Sequence, residues 1–445
     1  MKRFISIFII ICTVVLSSCT AVFESSDFQR ENQSCSDFST KIELEDAINT
    51  LMNFMNSDLT KVDDAGFAKE IENVICVTNP NVILTKSSDT QNPYLLYIAN
   101  FKNDSGFAIL SADDRLPVDI YAVADKGNVS EEEIYNENDQ QISPARMVYL
   151  AASGHIPAVD TTDNDVAIDN GEQEPDDDPM PDHPDGEWVV TRWSDWITSS
   201  SVPTMLKTKW KQGEPFNDLV LPYPAGCTTI ALFQIMAYNQ YPNPHIVNGI
   251  EMPYAYLRNK VSVSPIDNPY ANIVAEFVKH FIESVSHTQG YSQGSPYTLI
   301  YPNQAVKYFE SVGYSNVKIH RNPTKFDYDK IYESLNSGYP VLVSAKANGT
   351  NGHTWVIDGY LDQFRTGSRY GAETGKYYGP AGSQSRTLVH CNWGWGGLSD
   401  GYYYAGVFAT NEGPVIYDEI SLQGESDGDY DSFYRIVTYE IPNEL

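Results

Sequence analysis

Between residues 160 and 187 the chain holds twelve Asp and Glu and no Lys or Arg, with Pro and Gly scattered through EQEPDDDPMPDHPDG. A run of one sign and low hydrophobicity has too little apolar surface to offset the entropy of ordering it, so residues 158–187 read as an extended, exposed linker. The 445 residues then fold as two units, one on either side, and 42% hydrophobic content with 12% aromatics is enough to fill both cores. The formal net charge is −30. A phosphate backbone would be repelled by such a chain, and no basic patch overrides the mean, so nucleic acid is excluded as a partner.

Upstream, residues 1–18 read Lys2-Arg3, then FISIFIIICTVVL, then Leu16-Ser17-Ser18 before Cys19. A basic start, an apolar stretch of this length and small residues at the break describe an export signal, not a spanning helix. The ending resembles a bacterial lipobox, with cleavage before Cys19 and lipid on its thiol. That predicts a cell-envelope lipoprotein whose contact with membrane is the lipid on Cys19 only, followed by a polar tether over 19–41. Residues 42–157 predict a small α+β unit. Leu44, Ala47, Ile48, Leu51 and Met52 have helical spacing, residues 81–84, 94–100 and 107–110 read as strands, and 143–150 as a closing helix. Nothing in this unit assembles a set of chemical groups. Whether Cys35 and Cys76 form a bridge is open at this level.

Downstream, residues 188–445 are aromatic-rich. Helical segments come first (from Cys227, then 272–286, 304–312 and 329–337) and strands second (341–345, 354–358, 387–392, 401–404 and 434–439), an α+β layout. Pro224-Ala225-Gly226-Cys227-Thr228-Thr229-Ile230 puts a cysteine in the first turn of an apolar helix. Unpaired N–H groups and partial positive charge there favour thiolate, which is the nucleophile. The competing reading is a buried cysteine acting as a small hydrophobe.

A cysteine nucleophile needs a histidine to take its proton, and the histidine needs a group to fix its tautomer and tilt. Of eight histidines, His353 follows the Asn-Gly loop 348–352, ending in Gly352, and opens an apolar strand, which predicts a sheet-edge position open to substrate. His390, inside TLVHCNWGWGG, is the rival, or else a satisfied core histidine. Asn392 is an amide that could accept the proton of His353, with Trp393 and Trp395 shielding that bond. A backbone carbonyl near Trp393 is the alternative acceptor. No CxxC or HExxH spacing is present, so no metal site is expected.

Taken together, Ala225-Gly226-Cys227-Thr228-Thr229, Gly352-His353-Thr354-Trp355-Val356-Ile357-Asp358-Gly359 and Asn392-Trp393-Gly394-Trp395-Gly396-Gly397 with Ser399-Asp400-Gly401 resemble the streptopain family of papain-fold cysteine peptidases. The 42–154 unit, with Gly106-Phe107-Ala108-Ile109-Leu110, is similar to that family's propeptide domain. The resemblance implies a cysteine endopeptidase made as a zymogen, acting on protein or peptide substrates without a cofactor, its own propeptide acting as an intramolecular inhibitor and cleavage falling in the acidic linker. It implies Cys227 as nucleophile, His353 as general base and acid, and Gln212 as an oxyanion-hole donor beside the backbone N–H of Cys227. Papain has its glutamine six residues before the cysteine, where this chain has Leu221, so Gln212 must reach in from farther away. Residues 363–386 look like an insertion between the His and Trp blocks. Two other functions compete: a surface binding protein on a decayed peptidase fold, and a Cys–His hydrolase of another amide. Cys227, His353 and Asn392 occurring together argue against decay, and nothing sugar-binding favours the second.

Overall fold

The computed structural model describes residues 40–56, 69–80, 92–135, 143–155, 189–264, 270–292, 294–321, 327–345, 353–372, 374–408 and 434–442. The signal, Cys19, Cys35, the strand expected at 81–84, the acidic linker and the 346–352 loop with Gly352 lie outside them. No helix among the described residues is long and apolar enough to cross a membrane.

In the N-terminal unit, helix α1 (Leu44–Met55) is followed by strands β1 (Ile71–Thr78), β2 (Tyr94–Phe101), β3 (Phe107–Ser111) and β4 (Ile120–Ala124), then α2 (Glu131–Tyr135) and α3 (Pro144–His155). β2, β3 and β4 are buried almost throughout because both faces of the sheet are covered. Side-chain alternation divides them. Tyr97, Ala99, Phe101, Ala108 and Leu110 pack with Ala47, Leu51 and Phe54 of α1, while Leu96, Ile98 and Ile109 pack with Val148 and Ala151 of α3. β1 and β4 were not foreseen. β1 carries Glu72 and Asn73 at an edge where polar residues are tolerated.

The C-terminal unit opens with β5 (Val189–Trp193) and β6 (Ile197–Val202), then α4 (Cys227–Asn239), the short pair β7 (Ile246–Val247) and β8 (Ile250–Glu251), α5 (Tyr254–Leu257) and α6 (Tyr270–Ser284). A second small pair, β9 (Thr288–Ser292) and β10 (Ser295–Leu299), precedes α7 (Pro302–Ser311), β11 (Ser315–Arg321), α8 (Tyr328–Asn336) and β12 (Val341–Ala345). The chain ends in β13 (His353–Gly371), β14 (Tyr377–Asn392), β15 (Gly401–Tyr404) and β16 (Tyr434–Glu440). Mixed helices and antiparallel sheet bear out the α+β class, but the expected order of helices first is corrected: β5 and β6 open the unit and β7 to β11 lie among the helices. α4 is buried from Thr228 to Ala237, apolar on all sides, which fits a helix inside the core rather than on its surface.

The two units share one antiparallel sheet of 12 strands, ten of them in the order β1, β2, β3, β4, β15, β14, β13, β12, β16, β11, with β5 and β6 pairing β13 off this path. β4 joins β15 with Ala124 opposite Gly401 and Ala122 opposite Tyr403. A side chain at Gly401 would run into the Val123 carbonyl, so glycine permits this approach. The 363–386 insertion is the outer part of the β13–β14 hairpin. Along its other edge β13 pairs successively with β12, β6 and β5. The insertion also grips the N-terminal unit, because Asp119 accepts hydrogen bonds from Arg365 at 3.4 Å and from the buried Arg386; Trp196 Nε1, between β5 and β6, donates to the same carboxylate at 2.7 Å.

Candidate active site

Gly226 sits at φ 89° immediately before α4, a backbone conformation that suits glycine, and so starts the helix at Cys227. The next residue ties this helix to the strand carrying His353. Thr228 Oγ1 lies 3.0 Å from Thr354 Oγ1 and donates to the Ile300 carbonyl at 2.6 Å. His353 is the first residue of β13, opposite Ala345 of β12. The strand is interior, so the expected sheet-edge position is corrected: access to His353 comes from the strand's end.

Nε2 of His353 lies 2.8 Å from the carbonyl oxygen of Trp393. A carbonyl only accepts, so Nε2 carries the proton and Nδ1 is the nitrogen left for the thiol. Nδ1 is buried and has no hydrogen-bond partner among the described residues. Burial raises the Cys227 thiol pKa, but the hydrogen bond and charge of His353, with further bonds from Thr354, outweigh it and bring the thiol down to about 7. The ring of Trp395 lies 4.7 Å from that of His353, and Trp393 and Trp395 stack at 5.8 Å, covering the imidazole.

Asn392 does not meet His353. Its Nδ2 donates to the Thr208 carbonyl at 2.7 Å, and its Oδ1 accepts from Gln234 Nε2 at 3.0 Å and from the Gly394 N–H at 3.3 Å. The amide reading is therefore corrected in favour of the backbone carbonyl, for a geometric reason: Asn392 closes β14 with its side chain turned toward α4, and the next carbonyl along lies within reach of His353. Gln212 is brought close to the nucleophile by its backbone, whose carbonyl accepts from the Ala225 N–H at 2.9 Å, whereas Leu221 is 58% exposed.

His390 is a satisfied core histidine. Nδ1 pairs with Asp358 Oδ1 at 2.6 Å and Nε2 lies 3.8 Å from Asp125 of the N-terminal unit. Burial opposes its charged form, but Asp358 and Asp125 hold it as imidazolium well above the ordinary histidine range.

The residues missed from sequence are Thr228, Thr354, Gln234 and Asp400. Gln234, fully buried in an apolar helix, was findable, because a polar side chain there must have partners: it accepts from Trp210 N and donates to Asn392. Beside the site, a cavity of about 370 Å³ is walled by Trp210, Lys211 and Trp395 of one unit and by Asp104 and Lys126 of the other.

A half-buried cysteine–imidazole pair with a lowered thiol pKa, a fixed tautomer and a backbone N–H at a helix start can form and break an acyl thioester. Comparison with known proteins agrees. Residues 210–403 match the Peptidase C10 family and residues 39–143 match the Spi protease inhibitor family. The chain is 25% identical over 391 residues to the thiol protease/hemagglutinin PrtT of Porphyromonas gingivalis, covering 77% of this chain but 36% of that protein, so it spans about a third of that relative's length. The chain thus carries a domain of the C10, or streptopain, family of cysteine peptidases, preceded by a domain of the Spi propeptide-inhibitor type.

Proposed function

We propose that the protein is a cysteine endopeptidase made as a zymogen, exported and held at the cell envelope by lipid on Cys19. The observation that carries the chemistry is the shared proton system: His353, tethered through Nε2 to the Trp393 carbonyl, lies beside a thiol lowered to about 7. In this reading the Cys227 thiolate adds to the substrate carbonyl carbon. The oxygen takes up the negative charge, stabilised by the Cys227 backbone N–H and the Gln212 side chain. Protonated Nδ1 of His353 then gives its proton to the departing amine, leaving a thioester. Water attacks that thioester with His353 as base, releasing the acid and restoring the thiol.

Autoinhibition is supported by the way the N-terminal unit is held. It extends the sheet at β15, grips the hairpin through Asp119 and walls the cavity beside Trp395. A unit tethered this close has a high effective concentration at the cleft, and cleavage within 158–187 would remove that advantage. The test is incubation with E-64 followed by intact mass. One adduct on the processed chain, absent in Cys227→Ala, supports both class and nucleophile. No adduct, or one retained in Cys227→Ala, sinks the reading. Globomycin-sensitive processing and labelled fatty acid on Cys19 test the anchor separately.

A further inference from the structure

The carbonyl that holds His353 belongs to a residue whose two flanking peptide groups are both pinned. The Gly394 N–H, in the same peptide group as the Trp393 carbonyl, donates to Asn392 Oδ1 at 3.3 Å. The N–H of Trp393, in the preceding peptide group, donates to Asp400 Oδ1 at 2.8 Å. Asp400 is 1% exposed, and its second oxygen, Oδ2, has no hydrogen-bond partner among the described residues. A carboxylate half satisfied in the core is costly, and an apolar residue would fill the space at less expense. Among the described residues its one side-chain bond is the one that fixes the Trp393 backbone.

We propose that Asp400 is a positioning residue for the peptidase reaction: through the Trp393 N–H it sets the direction of the Trp393 carbonyl and thereby the tilt of the His353 imidazole toward Cys227. The two peptide planes meet at the Trp393 α-carbon, so its φ and ψ are set by Asp400 on one side and Asn392 on the other. This gives Asn392 a part in the site at one remove. The proposal rests on the cysteine-peptidase reading above. Asp400 also receives the field of its neighbours: His390, Lys209 and Asp358 all act on it, and Tyr403 and Cys391 feel its charge. Burial, partly offset by the Trp393 bond, His390 and Lys209, raises its pKa to about 7.

The test uses the full-length chain with Asp400→Asn and Asp400→Ala, after its own processing and with active sites titrated by E-64. Turnover of a peptide substrate and the pH dependence of Cys227 alkylation by iodoacetamide, followed by peptide mass, are measured together. Loss of a hydrogen bond to a charged group corresponds to roughly 10- to 100-fold, so Asp400→Ala should lower kcat by about that factor with KM within about twofold. Its alkylation midpoint should move up from the wild-type value, toward that of an unassisted thiol. Asp400→Asn keeps an oxygen for the Trp393 N–H and should fall between, about 3- to 10-fold down in kcat. If Ala does not fold, the isosteric Asn carries the test alone. A purely structural role predicts fewer titratable sites and a lower Tm, with unchanged kcat per site and an unchanged alkylation midpoint in both variants; that result overturns the proposal. A wild-type midpoint near 9 overturns the cysteine-peptidase reading itself, and this inference with it.

Discussion

His353 and His390 lie on neighbouring strands of one sheet, each beside a tryptophan or tyrosine ring, yet their surroundings give them opposite properties. His353 has one nitrogen fixed by a neutral carbonyl and the other left for a thiol. His390 has a carboxylate facing each nitrogen, one from its own unit and one from the N-terminal unit. A base must be able to lose the proton it gains. Two carboxylates make His390 a fixed cation, fit for joining two units but not for exchanging protons at neutral pH. Residue type finds candidates for catalysis; what each ring nitrogen touches decides among them.

The most forceful way to break this contrast is to remove each histidine in turn. Cys227→Ser and His353→Ala are expected to lower kcat/KM on casein by about 10³-fold or more, whereas His390→Ala in the processed enzyme stays within about tenfold of wild type. A dead His390→Ala beside an active His353→Ala would reverse the assignment.

The next effect tests how the units are held. Asp119→Ala leaves Arg386 buried without its carboxylate. Breaking a buried pair is strongly unfavourable, so docking should weaken and turnover by uncut chain should rise about tenfold or more. Equal rates in both uncut chains would remove the hairpin from the account of inhibition.

A smaller effect sharpens the contrast in pH. With the Cys227 thiol lowered to about 7, its alkylation should rise through pH 7 as thiolate forms, and His353→Ala should move that rise up by at least about one unit. An unmoved midpoint would mean the helix start alone lowers the thiol.

The smallest concerns stability. His390 has a raised folded-state pKa. It binds its proton more tightly when folded, so its contribution is full below the unfolded value of about 6.5 and is lost as pH rises through the folded one. The urea midpoint of the uncut chain should therefore fall more steeply above pH 6.5 in wild type than in His390→Gln. Parallel curves would deny His390 its charge.

How much of this was legible in the sequence follows from what carries each signal. Cys227 and His353 announce themselves because a reactive side chain sits at a turn before an apolar run. The Trp393 carbonyl leaves no such mark, since every residue has a carbonyl, so it stood only as the alternative to Asn392, the visible amide next to it. The acidic stretch suggests two units, but nothing in the sequence suggests their union in one sheet: β4 and β15 are five and four residues long and lie far apart in sequence. The insertion at 363–386 was visible as extra length only. Its meaning came from Asp119, whose partners lie about 250 residues away.

The join between β4 and β15 bears on solubility as well as on inhibition. While it holds, the backbone of β15 is paired on both sides and Leu361, Leu388 and Tyr402 are covered by Leu51, Phe54 and their neighbours. Departure of the N-terminal unit would convert an inner strand into an exposed edge beside an apolar patch, the kind of surface on which chains stack into aggregates. While docked, the unit serves as a shield for that edge, and the edge it would uncover is short, four residues long.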